Sequence, residues 1–423
     1  MSRKTIIIFL LSISSLVSHA QEDIFIDTKL KALIAEAVEN NSDFLSAGLN
    51  VGQAEAMLQA AKLTYLPSFA FAPSANANNP LGGASSRSYS LPLSMQWELS
   101  LGGKEQGEKQ VAQAQFVQAV EQLRYVKVQL AVSVTNAYYT LVMLDRQKAI
   151  TQESIINQEA TLQAIQAMKY AGRMDEIAVN QADSRLQATY ISLTELELQI
   201  SKVETALSLL LNRQAGTVER SSWQEVQPLR LDYTEPIELH RLSQRPDVLI
   251  AEQSLVMACG NLTIAKSDFY PTLRISVDGG WSDYLGAAVD PGKVISNLIG
   301  SLTQPLFQRK KLKARKKVAE LQLQQAQIAF EKALLTAGGE VKDALDECRN
   351  ADRKLPLRNK QVEAAETAYK NSMLMLRYSQ TLTYIDVLTA QDALLTARLQ
   401  QSADFLEYQQ ALINLYKALC PEN

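Results

Sequence analysis

Towards the end of the chain, apolar residues recur at alternating steps of three and four. Ile385, Leu388, Leu395, Leu399, Leu406, Ile413, Tyr416 and Cys420 form the series, and Asp392, Ser402 and Gln409 interrupt it with polar groups. That alternation is the seam of a coiled-coil helix. A second long helical stretch is predicted from about residue 104 to 170, which contains no proline and little glycine. Its Val117, Val120, Leu123, Leu130, Val134, Ala137, Leu141 and Leu144 recur at steps of three, four or seven. A helix of roughly 65 residues is about 100 Å long. No globular domain needs helices of that length, so the pattern predicts a long helical tube or rod.

Between the helices the period changes to two. In "SYSLPLSMQWELSL", Leu91, Leu93, Met95, Trp97 and Leu99 all point one way, and "YLPSFAFAPSANA" alternates similarly. The corresponding later pieces are "YPTLRISVDGGW" and "KVISNLIGSLTQPLF". The turn-rich "NNPLGGASS" joins the first pair and "SDYLGAAVDPG" the second. Four strands are predicted, within about residues 65–101 and 270–307.

The two sets belong to a duplication. Asp43 matches Asp247, Ala61-Lys62 matches Ala265-Lys266, and Pro67 matches Pro271, at an offset of 204. "YAGRMDEIAVNQADSRLQ" from Tyr170 and "YSQTLTYIDVLTAQDALL" from Tyr378 align at an offset of 208, pairing Ile177 with Ile385 and Val179 with Val387. The chain reads as one unit written twice, over about residues 30–213 and 237–420, and not as an array of short repeats.

Residues 1–20 carry Arg3 and Lys4, then the short apolar run "TIIIFLLSISSLVS", and end on "SHA". This predicts a secretory signal peptide cleaved near Ala20. No later stretch reads as a run of some 18 to 20 apolar residues suited to a membrane helix. The net charge is −3, and loss of Arg3 and Lys4 takes it to −5, which argues against nucleic acid as a partner. Position 21 is Gln, so no lipidated cysteine is expected there. Cys259, Cys348 and Cys420 make no disulfide framework. With His240 the one histidine after cleavage, no His-based metal or acid–base site is expected. Glycines cluster at turns and form no phosphate-binding loop, so no cofactor and no enzyme activity are expected.

Strands of this length and alternation suit a tilted membrane strand with lipid on one face and water on the other. Four strands cannot close a barrel, because the smallest have about eight. A membrane reading therefore needs several copies: two give eight strands and three give twelve. The competing reading is a soluble periplasmic scaffold, with hairpins capping a coiled-coil rod.

"RPDV" at 245–248, "AKSDFYPTL" at 265–273, "TQPLF" at 303–307 and "YIDVLTAQ" at 384–391 resemble the TolC-type outer-membrane efflux proteins, closest to the branch serving resistance-nodulation-division pumps. The resemblance covers about residues 30–420. It implies a homotrimer in the outer membrane of a Gram-negative bacterium, mainly α-helical, with a twelve-stranded barrel on a periplasmic α-helical tunnel. The implied partners are a periplasmic adaptor and an inner-membrane pump, and the implied role is a passive exit duct for drugs or other small molecules. An exit duct for type I protein secretion, or the outer component of a metal-ion exporter, shares the same architecture. Scarce histidine and nine scattered methionines disfavour metal export.

By the same resemblance Asp386 lines the constricted periplasmic end of the tunnel, where three copies make a carboxylate ring. Its other reading is a helix cap, since Thr383-x-x-Asp386 resembles a capping box. Some family members carry a second aspartate where this chain has Thr389, a turn glycine where it has Gln380, and an arginine where it has Leu382. Closure by the relatives' ion-pair network is not expected here. The turns, with Tyr170, Gly172, Tyr378, Gln380 and Thr381, are the implied adaptor-docking sites. Trp97 and Trp281 at strand ends are read as interfacial girdle residues, with buried packing as the alternative. The basic run "QRKKLKARKK" reads as a solvated helix start below the barrel, with lipopolysaccharide contact as the sharper alternative.

Overall fold

The structure, a computed structural model, describes residues 24–78, 86–231, 242–285, 293–303, 309–378 and 384–419. The first half runs through α1 (Thr28–Asn40), α2 (Ser42–Leu63), β1 (Ser68–Phe71), β2 (Ser74–Asn78), β3 (Ser86–Ser100), α3 (Lys104–Tyr170) and α4 (Glu176–Leu210). The second runs through α5 (Pro246–Ser267), β4 (Thr272–Leu285), β5 (Lys293–Thr303), α6 (Arg309–Tyr378) and α7 (Tyr384–Leu419). Helix α3 has 67 residues, as its periodicity predicts, and α6 has 70.

The chain divides into two compact units. The first comprises Met1–Ser46, Arg124–Arg245 and Leu335–Asn423. Its core is built from Val134, Tyr138 and Leu141 of α3, Leu207 of α4, and Leu412, Ile413 and Tyr416 of α7, with Phe25 and Leu30 from the start of the chain. Phe25 meets Tyr416 edge to face at 5.5 Å. Polar groups pin the non-helical chain after α4 onto this core. The Tyr138 hydroxyl donates to Asp27 Oδ2 (2.8 Å) and accepts from the Ser221 amide, while Tyr139 donates to the Gln227 carbonyl. Burial pushes the Tyr138 phenol up to about 12. Arg220 is gripped by Asp145 and Glu204 at 2.5 and 2.6 Å.

The three polar interruptions of the α7 seam each have a partner. Gln409 is fully buried and accepts from the Leu229 amide at 2.9 Å. Ser402 donates to the Leu399 carbonyl, and Asp392 pairs with Arg185 of α4 at 2.6 Å. Gln409 and Asp392 give up coiled-coil apolarity to fix what packs against the helix, while Ser402 is satisfied within α7 itself.

Helix α6 continues through Pro356, which has no amide hydrogen to donate. Lys354 and Arg358, on either side of it, both reach the buried Asp404 of α7, at 3.2 and 2.5 Å. Asp404→Ala leaves the largely shielded Arg358 guanidinium without its carboxylate. We expect a loss of about 2–4 kcal/mol in urea unfolding.

The second unit comprises Ala47–Leu123 and Pro246–Leu334 and holds the sheet. Here α3 and α5 touch backbone to backbone. A Cβ on Gly260 would lie 2.7 Å from Val111 Cγ2 and 3.1 Å from the Gly107 carbonyl oxygen, and one on Gly107 would lie 3.0 Å from the Gly260 oxygen. Against the sequence expectation, α5 is by length and composition apolar enough to cross a membrane. Its packing against α3 accounts for part of that apolarity: Gly260 and Ala258 are buried, and Ser254 bonds to Gln118.

Candidate functional site

Two features stand out: the sheet in the second unit, and the helix-to-helix turns in the first. The sheet is antiparallel throughout, in the order β1–β3–β4–β5, with β2 also on β3. The expected first strand is broken between β1 and β2, at Ala72-Pro73, where proline cannot donate to the ladder. The sheet is thus four strands wide. The central β3–β4 ladder joins the two halves of the chain and runs from Arg87↔Leu285 to Ser100↔Thr272.

This register sorts side chains onto two faces. Phe69, Phe71, Leu91, Leu93, Met95, Trp97, Leu273, Ile275, Val277, Leu298 and Leu302 share one face. Phe69, Phe71, Leu298 and Leu302 are each more than 60 % exposed. Ser68, Ser74, Ser90, Ser94, Gln96, Glu98, Arg274, Ser276, Asp278 and Ser301 share the other, which also carries the apolar Ala70, Pro92 and Ile299. Glu98 and Arg274 pair across the ladder at 2.7 Å, and Ser74 bonds Ser90 at 2.8 Å. Among the described residues, the outer edges of β1–β2 and β5 pair with no further strand. An exposed apolar face and two open edges are what water punishes most in a sheet.

Trp97 is partly exposed on the apolar face, and its indole N–H donates to the Tyr65 carbonyl at 3.0 Å. Trp281 stands opposite Leu91 in the register. Both lie towards strand ends: Trp97 is the fourth residue from the end of β3, and Trp281 pairs with Val294 one pair from the end of the β4–β5 ladder.

The first turn is built from local rules. Gly172 has φ +70°, a conformation that side chains disfavour. The Arg173 amide bonds the Met168 carbonyl and the Gly172 amide the Lys169 carbonyl, which closes α3 with a Schellman motif. Asp175 then caps α4 by accepting from the Ala178 amide at 3.0 Å. Met174 and Val179, flanking that cap as a hydrophobic staple does, pack on one small cluster. Lys169 pairs with Glu176 across the turn, which holds its ammonium above the ordinary value.

The start of α7 lies against the first turn. Leu388 and Tyr384 of α7 join Ile165, Ala178 and Ala182 in the same cluster. A few residues on, Arg185 and Asp392 tie α4 to α7; burial lifts the Asp392 carboxyl above its ordinary value against the pull of Arg185. Asp386 is exposed at the third position of α7, equivalent to Ala178 of α4. Tyr170 is 90 % exposed. Tyr378 ends α6, while Gln380 and Thr381 lie outside the described residues, as does Thr383, the expected cap partner of Asp386. Ile385, read from the sequence as the first residue of the α7 seam, and its equivalent Ile177 are instead exposed beside the turns, at 48 % and 61 %. The sequence shows only that both copies keep isoleucine there; that neither has a core to fill comes from the structure.

The family model described as outer membrane efflux protein matches the chain twice, over residues 33–213 and 240–420. The cation efflux system protein CusC of Escherichia coli O157:H7 is 25% identical over 406 residues, spanning 93% of this chain and 86% of that protein. The pyoverdine export outer membrane protein OpmQ of Pseudomonas putida is 27% identical, spanning 93% and 86%. In fold, a crystallised membrane protein of Pseudomonas aeruginosa is similar with a TM-score of 0.87 at 23% identity, covering 94% of this chain and 95% of that one. CusC is similar with a TM-score of 0.84 at 22% identity, covering 94% of each chain. With both halves matched over most of their length, the chain belongs to the outer membrane efflux protein family.

Proposed function

We propose that this chain is the outer-membrane exit duct of a tripartite efflux system. Three copies close a twelve-stranded barrel, and the long helices form a periplasmic tunnel that receives small molecules from an inner-membrane pump through an adaptor. The observation that carries this reading is the two-faced sheet with two open edges. Lipid suits its apolar face, water suits its polar face, and only neighbouring copies can satisfy its edges. Export of the mature chain follows removal of residues 1–20. The duplication accounts for the twofold family match, and flow through the duct is passive, driven by the pump.

The two turns are the adaptor-docking end, a reading supported by the Ile165–Leu388 cluster, which packs the start of α7 against the first turn. Tyr170, Gly172, Tyr378, Gln380 and Thr381 belong to it, and the exposed Ile177 and Ile385 add apolar contact area. Asp386 stands at the constriction there, and trimer symmetry makes it a ring of three carboxylates that attracts cations. In single-channel recordings, Asp386→Ala is expected to lower cation-over-anion selectivity severalfold and to relieve block by multivalent cations. Unchanged selectivity would leave helix capping as its role.

Relatives named for cations, for pyoverdine and for toluene have similar sequences. Cargo therefore varies on one architecture, which fits a duct that inherits specificity from its pump. A cation exporter's outer component is a second reading, favoured by the likeness to CusC. Deletion strains challenged with copper, silver and hydrophobic drugs separate the two: sensitivity confined to metals selects the second.

A further inference from the structure

Helix α6 begins against its own dipole. Seven of its first nine residues are cations: Arg309, Lys310, Lys311, Lys313, Arg315, Lys316 and Lys317. Its first turn holds no acid, although a helix N-terminus favours carboxylates and is weakened by positive charge. The duplication supplies an internal control. The equivalent start of α3 is balanced, with Lys104 and Lys109 against Glu105 and Glu108. There Glu105 is buried and accepts from the Ser100 amide at 2.7 Å. The fold thus does not need cations at this place, and the second copy carries them at a cost.

Little within the protomer compensates. Arg315 reaches Asp268 at 3.7 Å, and Lys316 and Lys317 lie 3.6 and 3.9 Å from Glu320. Among the described residues, Arg309, Lys310, Lys311 and Lys313 form no ion pair. Leu312 and Ala319 mark the buried side of this helix. At 3.6 residues per turn, Lys310, Lys313 and Lys317 lie on the opposite, exposed side.

The cations sit at one end of the sheet. Arg309 follows the last residue of β5, Thr303, by six positions, within about 20 Å of extended chain. Arg315 touches Asp268, four residues before β4 begins at Thr272, and Thr272 pairs with Thr303. This is the helix-bearing end, opposite the β4-to-β5 connection. On the barrel reading above, on which this inference rests, it is level with the inner-leaflet headgroups. Lipopolysaccharide, an outer-leaflet lipid, would meet the other end. We propose that the start of α6 is a basic collar that binds the phosphates of acidic phospholipids in the inner leaflet.

The test uses the full chain reconstituted with brominated phosphatidylglycerol or brominated phosphatidylcholine, reading quenching of tryptophan fluorescence. Trp97 lies near this end of the sheet and reports on lipid contact. The wild type is expected to prefer phosphatidylglycerol, with the preference fading as salt rises. One cation near an anionic surface contributes roughly fivefold, so the Lys310→Gln/Lys313→Gln/Lys317→Gln variant should lose most of the preference. The corresponding triple arginine variant should keep it. Equal affinity for the two lipids in the wild type, or a preference that salt and the glutamine variant leave intact, overturns the collar and points these cations at an acidic protein partner. If the glutamine variant does not fold, the salt titration of the wild type decides alone. Absence of quenching by either lipid would instead overturn the membrane reading itself.

Discussion

Gly260→Leu is expected to destabilise the second unit by about 3 kcal/mol or more, the upper part of the range for overpacking. The bare Cβ would already lie 2.7 Å from Val111 Cγ2, and behind that side chain is the Gly107 carbonyl oxygen at 3.1 Å. Val111 can rotate away; the backbone of α3 cannot. Gly107→Val meets the same wall from the other side, at Ile264 Cγ1 and at the Gly260 oxygen. The two changes act on one contact, so their effects should not add. Gly48→Ala serves as the control, because a Cβ there meets nothing within 4 Å. Thermal or urea unfolding followed by tryptophan fluorescence checks all three. A Gly260→Leu protein as stable as the Gly48→Ala protein would show that α3 and α5 are not in contact at these glycines.

Arg245→Ala is the second large effect, expected at about 2–4 kcal/mol in the first unit. Arg245 is 5 % exposed and opens the "RPDV" stretch. Its guanidinium donates to the Ala418 carbonyl at 3.0 Å, to the Ala337 carbonyl at 3.4 Å and to Glu340 Oε2 at 2.5 Å. Ala418 is in the last turn of α7, where carbonyls have no partner within the helix. Alanine would strand these groups and leave a void, and a stranded buried acceptor costs about 1–3 kcal/mol. Arg245→Lys should rescue little, since one ammonium cannot span three acceptors set for a planar fork. Full rescue by lysine would mean that charge alone matters.

Much of the architecture was legible because its signals are local and periodic. The length of α3, the α7 seam and the alternation around Leu91–Leu99 depend only on where apolar residues recur. The first turn was located by the repeat and by resemblance; that Gly172 closes one helix and Asp175 caps the next came from the structure. Non-local features were not legible. Nothing in "SMQWEL" says that Trp97 stands opposite Ile275, or that the two halves meet through β3 and β4. The polar breaks at Asp392, Ser402 and Gln409 could be counted in the sequence, but their partners lie 180 or more residues away or on the preceding turn. The helix α5 misled by its composition, because one face of it is small rather than polar. Pro73 was visible and should have split the first strand. At the turns, the sequence aligned Ile177 with Ile385 without telling that both would stand exposed.

The central claim is that the sheet completes itself with two further copies in an outer membrane. Cell fractionation followed by gel electrophoresis of boiled and unboiled samples tests it most directly. The account predicts that the chain sediments with the outer membrane and migrates unboiled at about three times its monomer mass, collapsing to monomer on boiling. Recovery from the soluble periplasm as a monomer or dimer, with no heat-sensitive trimer, would contradict it.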